Sequence, residues 1–340
     1  MVARYTRLEA REWTRQHMRG LDCVIIPTFT ADLKGLNKAA IQHDVRKLIE
    51  FGFAGALLVA DIAFSAAEYV QFAQWAHEAA GDRFRIVHHA AFNTLQENID
   101  VARRVTPYCD YALLCYPVNF YPMSEQEVYD YTRTFCDEVD LGVMLFPVPL
   151  WNFGRLHPAQ MSMALLRRLV DDCPTVVAIK AEGDLPGIGG LLDVYRQFRD
   201  VIVSCPIEAD LIPLMSELEF QYSGTSNTAG YGDYVPRMFA TASAGRQAEA
   251  MEMFWKLHPA RQACGAINAG IQFSALINRM AWKFMDWTMG LNGGPIRQPT
   301  ARINDAQIAQ WRRGIETVGI GVPREPTVEF FRGRNPQDCA

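Results

Sequence analysis

Eight short apolar runs, each rich in β-branched or aromatic residues and each followed by a stretch of helical period, constrain this chain more than any other feature. The runs read as strands at Cys23–Pro27, Ala56–Ala60, Arg85–His89, Tyr111–Cys115, Val143–Phe146, Val176–Lys180, Val201–Cys205 and Phe220–Ser223. Between them, Ala39–Phe51, Ala66–Ala80, Thr94–Val105, Ser124–Glu138 and Pro158–Asp171 repeat apolar residues at i, i+3 and i+4 over a polar face. Strands this apolar cannot leave a face in water. Eight alternating β and α units with both strand faces covered predict an α/β fold of the parallel (β/α)₈ TIM-barrel type. A doubly wound open sheet is the competing arrangement, but no G-x-G-x-x-G follows the first strand and no P-loop occurs.

The strand signal stops after Ser223. Arg246–Ala263, Ala266–Gly290 and Asp305–Glu316 are helical in period with no strand between them, more than a last barrel helix needs. The expected organisation is a polar helical lead-in over 1–20, a barrel over 21–245, a C-terminal helical extension over 246–320 and a surface tail over 321–340. At 340 residues a barrel of this size fits one large core.

Composition excludes several classes of function. A net charge of -5 gives no basic footprint for nucleic acid and no polybasic anchor for membrane. No run of about 18 apolar residues reads as a membrane span, and Met1–Gly20 lacks the apolar stretch of a secretory signal. The eight cysteines show no C-x-x-C spacing, which predicts reduced thiols in a cytoplasmic protein.

Lysine is scarce, six among 33 basic residues, and Lys180 is the one at the end of a strand. Barrel enzymes carry their chemistry at that mouth, and desolvation there favours the neutral amine that attacks a carbonyl to form a Schiff base. The alternative from position is a lysine paired with Glu182 or Asp184.

The order of motifs resembles the dihydrodipicolinate synthase / N-acetylneuraminate lyase superfamily of class I aldolase barrels. The matching pieces are Pro27-Thr28-Phe29 with Gly35, Phe92-Asn93-Thr94, Phe120-Tyr121-Pro122, Ile179-Lys180-Ala181-Glu182-Gly183-Asp184, Ser223-Gly224-Thr225-Ser226-Asn227, and the closing Asn292-Gly293-Gly294-Pro295-Ile296-Arg297-Gln298-Pro299. The resemblance spans roughly residues 20–320, and the placing of Lys180 is its most specific part. It implies an imine between Lys180 and pyruvate or another 2-oxo acid, cleavage or formation of a C–C bond or dehydration, no added cofactor, and a homo-oligomer, dimer or tetramer.

The departures from that pattern matter as much. The strand-five tyrosine that relays protons in the family aligns with Phe146, whose phenyl ring has no proton to transfer and is expected to line the substrate site. The Gly-Thr-Thr-Gly-Glu turn that grips the substrate carboxylate is replaced by Ala60-Asp61-Ile62-Ala63-Phe64. Three readings fit. Asp61 serves as general acid/base, against an N-cap or ion-pair role; Tyr121 relays the proton from a neighbouring subunit, against plain aromatic packing; or the barrel is catalytically silent and binds a small acid or a protein partner. True dihydrodipicolinate synthase activity does not fit the losses.

Weaker candidates complete the site. Asn152 and Arg155 follow strand five, where Arg155 could replace the lost carboxylate grip, against a surface-lid reading. Glu208 and Asp210 follow strand seven as substrate contacts or first-turn acids. One of Tyr222 and Ser223 is expected at the barrel mouth. His88 and His89 end strand three, with one facing inward as a hydrogen-bonded core residue; no metal site is expected.

Overall fold

The computed structural model describes residues 4–117, 119–147, 161–181, 188–224, 226–269, 277–298, 300, 302–322 and 324–337. Eight strands, β1 (Gly20–Ile25), β2 (Gly55–Leu58), β3 (Arg85–Ala90), β4 (Tyr111–Leu114), β5 (Gly142–Leu145), β6 (Val176–Lys180), β7 (Ile202–Ser204) and β8 (Tyr222–Ser223), alternate with helices. Their order is β7-β6-β5-β4-β3-β2-β1-β8, parallel throughout, which is a (β/α)₈ barrel. The residues of β2, β4, β5 and β6 are all buried, as strands covered on both faces must be.

The seam between β7 and β8 closes through side chains. Ser204 Oγ donates to Gly224 O at 2.8 Å and accepts from Gly224 N at 3.1 Å, while Ser223 Oγ donates to Cys205 O at 2.5 Å. Two hydroxyls thus stand in for a ladder that a two-residue strand is too short to make.

The loops leaving the strands end in side-chain caps that start the next helix in a fixed direction. Asn37, Ser65, Thr94, Ser124 and Ser162 each accept from the third backbone N–H of the helix they precede, and Ser65 with Glu68 forms a full capping box.

The lead-in carries the helix Ala10–His17, and its basic residues cover the barrel floor. Arg7 donates to Val139 O at 2.8 Å and Cys136 O at 2.7 Å, and Arg11 to Val176 O at 2.8 Å and Cys173 O at 2.9 Å. Inside the floor Asp22 and Arg85 form a buried two-pronged pair at 3.0 and 2.7 Å.

Beyond β8 and its helix Tyr234–Ser243 the structure adds helices at Gln247–Lys256, His258–Asn268, Arg279–Thr288, Asp305–Val318 and Thr327–Arg332. The single helix expected over Arg246–Ala263 is two, broken at Leu257, because Pro259 has no N–H to continue the ladder and sits in the first turn of the second helix. Of the stretch expected as helical over Ala266–Gly290, the described residues give the end of the helix His258–Asn268 and the helix Arg279–Thr288. The tail leaves Val328 and Phe331 exposed and is anchored by one ring. Its helix buries Phe330 fully, with ring centroids 5.2 Å from Phe284 and 5.7 Å from Trp287.

The closing Asn-Gly-Gly segment needs its glycines. Gly294 has φ +87°, and a Cβ there would lie 2.7 Å from Thr28 Cγ2. Thr28 Oγ1 donates to Gly293 O at 2.8 Å, which ties this segment to the end of β1.

Candidate active site at the barrel mouth

Lys180 is the last residue of β6, and only 4% of it is exposed. Its Nζ lies 3.8 Å from the ring centroid of Phe146, the residue after β5, so the amine rests on an aromatic face. Across the barrel, alternation along β3 separates the two histidines. His88 turns outward, its Nδ1 2.9 Å from the Tyr69 hydroxyl of the flanking helix, and His89 turns into the barrel, where Nδ1 accepts from the Ala60 amide at 3.1 Å. Burial depresses both imidazoles, His88 to about 3 and His89 to about 4. After burial, His89 feels the charges of Asp61, Arg279 and Lys180, which places all four residues around one mouth.

Asp61 follows β2, with 39% of its side chain exposed. Arg279, the first residue of the helix Arg279–Thr288, grips it with Nε to Oδ1 at 3.0 Å and Nη2 to Oδ2 at 2.6 Å. Burial pushes the Asp61 carboxyl up, but the guanidinium's charge and hydrogen bonds outweigh it and hold the carboxyl below its ordinary value. A carboxylate held there has no proton to give at neutral pH. The geometry is that of the ion-pair alternative.

Other expected site residues already have partners. Glu208 has both oxygens engaged by Arg261, at 2.9 and 2.6 Å, which ties the helix His258–Asn268 to the segment after β7. Tyr222 starts β8 beside Gly20 and lies at the floor of the barrel, fully buried, with its hydroxyl 3.2 Å from Asp22; Ser223 closes the seam. The Ser223 hydroxyl is spent on the Cys205 carbonyl, next to Ser204, the β-partner of Lys180. Tyr121 is 61% exposed and makes no hydrogen bond among the described residues. Asn152, Arg155, Glu182 and Asp184 lie outside the described residues.

A second buried lysine lies on the helix Arg279–Thr288. Lys283 Nζ donates to Pro27 O at 2.7 Å, Thr28 Oγ1 at 2.7 Å and Ile26 O at 3.4 Å. These contacts lock its helix to the chain just after β1, while burial, against the pull of Asp44 and Asp286, lowers the Lys283 amine to about 7. Among the described residues no cluster of three or more His, Cys, Asp or Glu side chains could hold a metal ion.

The sequence reading missed Arg279 and weighed His89 only as a core or metal residue. A signal for Arg279 existed: a cation at a helix N-terminus opposes the helix dipole and calls for a partner anion.

The family profile for the dihydrodipicolinate synthetase family matches residues 21–316. The chain belongs to that family. Among curated relatives of this dihydrodipicolinate synthetase family member, an uncharacterized DapA-like lyase of Pyrobaculum neutrophilum is 22% identical over 316 residues, covering 88% of this chain and 99% of that protein. A 4-hydroxy-tetrahydrodipicolinate synthase of Methanopyrus kandleri is 21% identical over 315 residues, covering 89% and 97%. Among solved structures, dihydrodipicolinate synthase from Aquifex aeolicus superposes with a TM-score of 0.74 at 16% identity, covering 89% of this chain and 99% of that one. N-acetylneuraminate lyase from Fusobacterium nucleatum gives 0.70 at 16%, again covering 89% and 99%. At such identities the structural likeness speaks for the fold.

Proposed function

We propose that this family member is a lyase of the class I aldolase type that forms a Schiff base through Lys180 with pyruvate or another 2-oxo acid. The observation that carries this reading is the buried Lys180 amine at the mouth, on the strand and at the strand end where a family lyase holds its nucleophile. The lyase names of the curated relatives support the reaction class.

The chemistry follows from the imine. The Lys180 amine adds to the carbonyl, water leaves, and the protonated imine draws electrons from the adjacent carbon as a proton or an aldehyde departs. With Phe146 at the relay position and Asp61 bound to Arg279, the site lacks the family's usual proton path, which argues against dihydrodipicolinate synthase itself and for a different second substrate. Tyr121, exposed on the loop after β4, remains available to a neighbouring copy in a dimer or tetramer.

Phe146 also favours a second reading, a barrel that binds a small acid without turning it over, because a phenyl ring moves no proton. Reductive trapping separates the two. Borohydride in the presence of pyruvate or another 2-oxo acid leaves a stable adduct on the lyase and none on the silent barrel.

A further inference from the structure

The segment Ala60–Phe64 carries no hydroxyl where the family grips the substrate carboxylate, yet the mouth keeps one neutral, oriented donor. The Ala60 backbone N–H, 3.1 Å from His89 Nδ1, has a hydrogen to give and nothing with which to accept. Nδ1 is therefore the bare acceptor, and in the neutral ring the proton sits on Nε2. His88 beside it is wholly buried and bound to Tyr69, whereas His89 retains 6% exposure and its Nε2 has no hydrogen-bond partner among the described residues. The Asp61–Arg279 pair cancels its own charge next to this imidazole. His89 thus brings to the neighbourhood of Lys180 an N–H whose ring is held in place by a backbone amide.

We propose that His89 is a substrate-orienting residue whose Nε2–H donates to the carboxylate of the 2-oxo acid held at Lys180, taking over the grip that the Ala60–Asp61 turn has lost. This rests on the Schiff-base reading of Lys180. His89 moves no proton; it fixes which face of the carbonyl meets the amine, and since burial keeps the imidazole neutral down to about pH 4, the contact persists unchanged across the neutral range.

The test uses pyruvate as the probe and the yield of borohydride-reduced adduct, read by intact mass, as the measure of occupancy. In His89→Asn the amide oxygen still accepts from Ala60 N–H but nothing reaches the Nε2 position; in His89→Gln the amide nitrogen does. The half-saturating pyruvate concentration is expected to rise by on the order of 10- to 100-fold in the asparagine variant, the loss of a hydrogen bond to a charged group, and to fall most of the way back in the glutamine variant. The adduct yield at saturation stays the same in all three. Unchanged half-saturation in His89→Asn overturns the proposal. Should that variant fail to fold, the wild type alone decides: half-saturation that tightens about tenfold as pH falls through about 6.5 means an imidazole that charges at the site, and overturns it too. If the wild type traps no adduct, the Schiff-base reading falls separately, and calorimetric titration with pyruvate then judges His89: affinity lost in His89→Asn keeps the contact, and no binding or no difference rejects it.

Discussion

Arg279 and Asp61 are 218 residues apart in the chain, yet the guanidinium closes on both carboxylate oxygens at the barrel mouth, at 3.0 and 2.6 Å. The pair joins the C-terminal helical region to the end of β2 and neutralises an anion that would otherwise repel an incoming carboxylate. Arg279 is 5% exposed, so the arginine is committed to this contact.

Removing one partner should therefore hurt in a charge-dependent way. Arg279→Met leaves Asp61 uncompensated, and the half-saturating concentration of a trapped 2-oxo acid should rise on the order of tenfold. Adding Asp61→Asn to that variant should restore most of the affinity, a coupling that a double-mutant cycle reads directly. If Asp61 were instead the general acid/base, Asp61→Asn alone would cut turnover by about 10²–10⁴-fold, and the double variant would recover nothing.

The Phe146 ring, beside Lys180, has no proton to transfer. In Phe146→Tyr a phenol comes within reach of a lysine 3.8 Å from the ring centre. Exchange of the pyruvate methyl protons into deuterated water, followed by NMR, should speed up by about tenfold or more, the low end of what a positioned acid/base group supplies. An unchanged exchange rate would mean that the ring is not at the proton path.

At the barrel floor, stability depends on Asp22. The Asp22 side chain is wholly buried against Arg85, and Asp22→Ala strands a buried guanidinium. The expected loss is about 3–5 kcal/mol in denaturant unfolding, with much of it recovered when Arg85→Met is combined with it. A loss below about 1 kcal/mol for the single variant would show that Arg85 finds water there.

The buried histidines predict a pH signature. With folded-state values near 3 for His88 and 4 for His89 against an ordinary 6.5, the unfolded chain takes up protons below about pH 6.5 that the folded chain refuses. Each group's stabilising contribution is complete above that pH and declines as pH falls toward the folded value, by about 1.4 kcal/mol per unit. Asp44, which burial pushes up to about 6, acts in the opposite sense over part of the range, so the difference between two proteins is the clean readout. His88→Leu should be less stable than wild type above about pH 7, through its lost bond to Tyr69, and that deficit should shrink by about 2 kcal/mol between pH 6.5 and 5. A deficit that stays constant with pH would contradict a depressed His88.

Much of the fold was legible because parallel strands buried on both faces are the plainest signal a chain can carry; Val176–Lys180 is read to the residue. The start of β1 was hidden by Asp22, a charge inside a strand whose compensating Arg85 lies on another strand. The break at Leu257 was readable from Pro259 and was overridden by the apolar period around it. At the site, strand-end position located Lys180, and alternation sent one histidine inward. Which carboxylates are free to meet substrate depends on pairs such as Glu208–Arg261, 53 residues apart, and Asp61–Arg279, which no local spacing encodes.

The central claim is that the amine of Lys180 condenses with a 2-oxo acid. The most direct measurement is borohydride reduction in the presence of pyruvate and a small panel of other 2-oxo acids, with peptide mapping of the modified residue in wild type and Lys180→Ala. The account predicts one reduced adduct per chain, mapped to Lys180 and absent from the variant. An adduct on Lys283 or on a surface lysine, an adduct that persists in Lys180→Ala, or no adduct with any acid in the panel would contradict it.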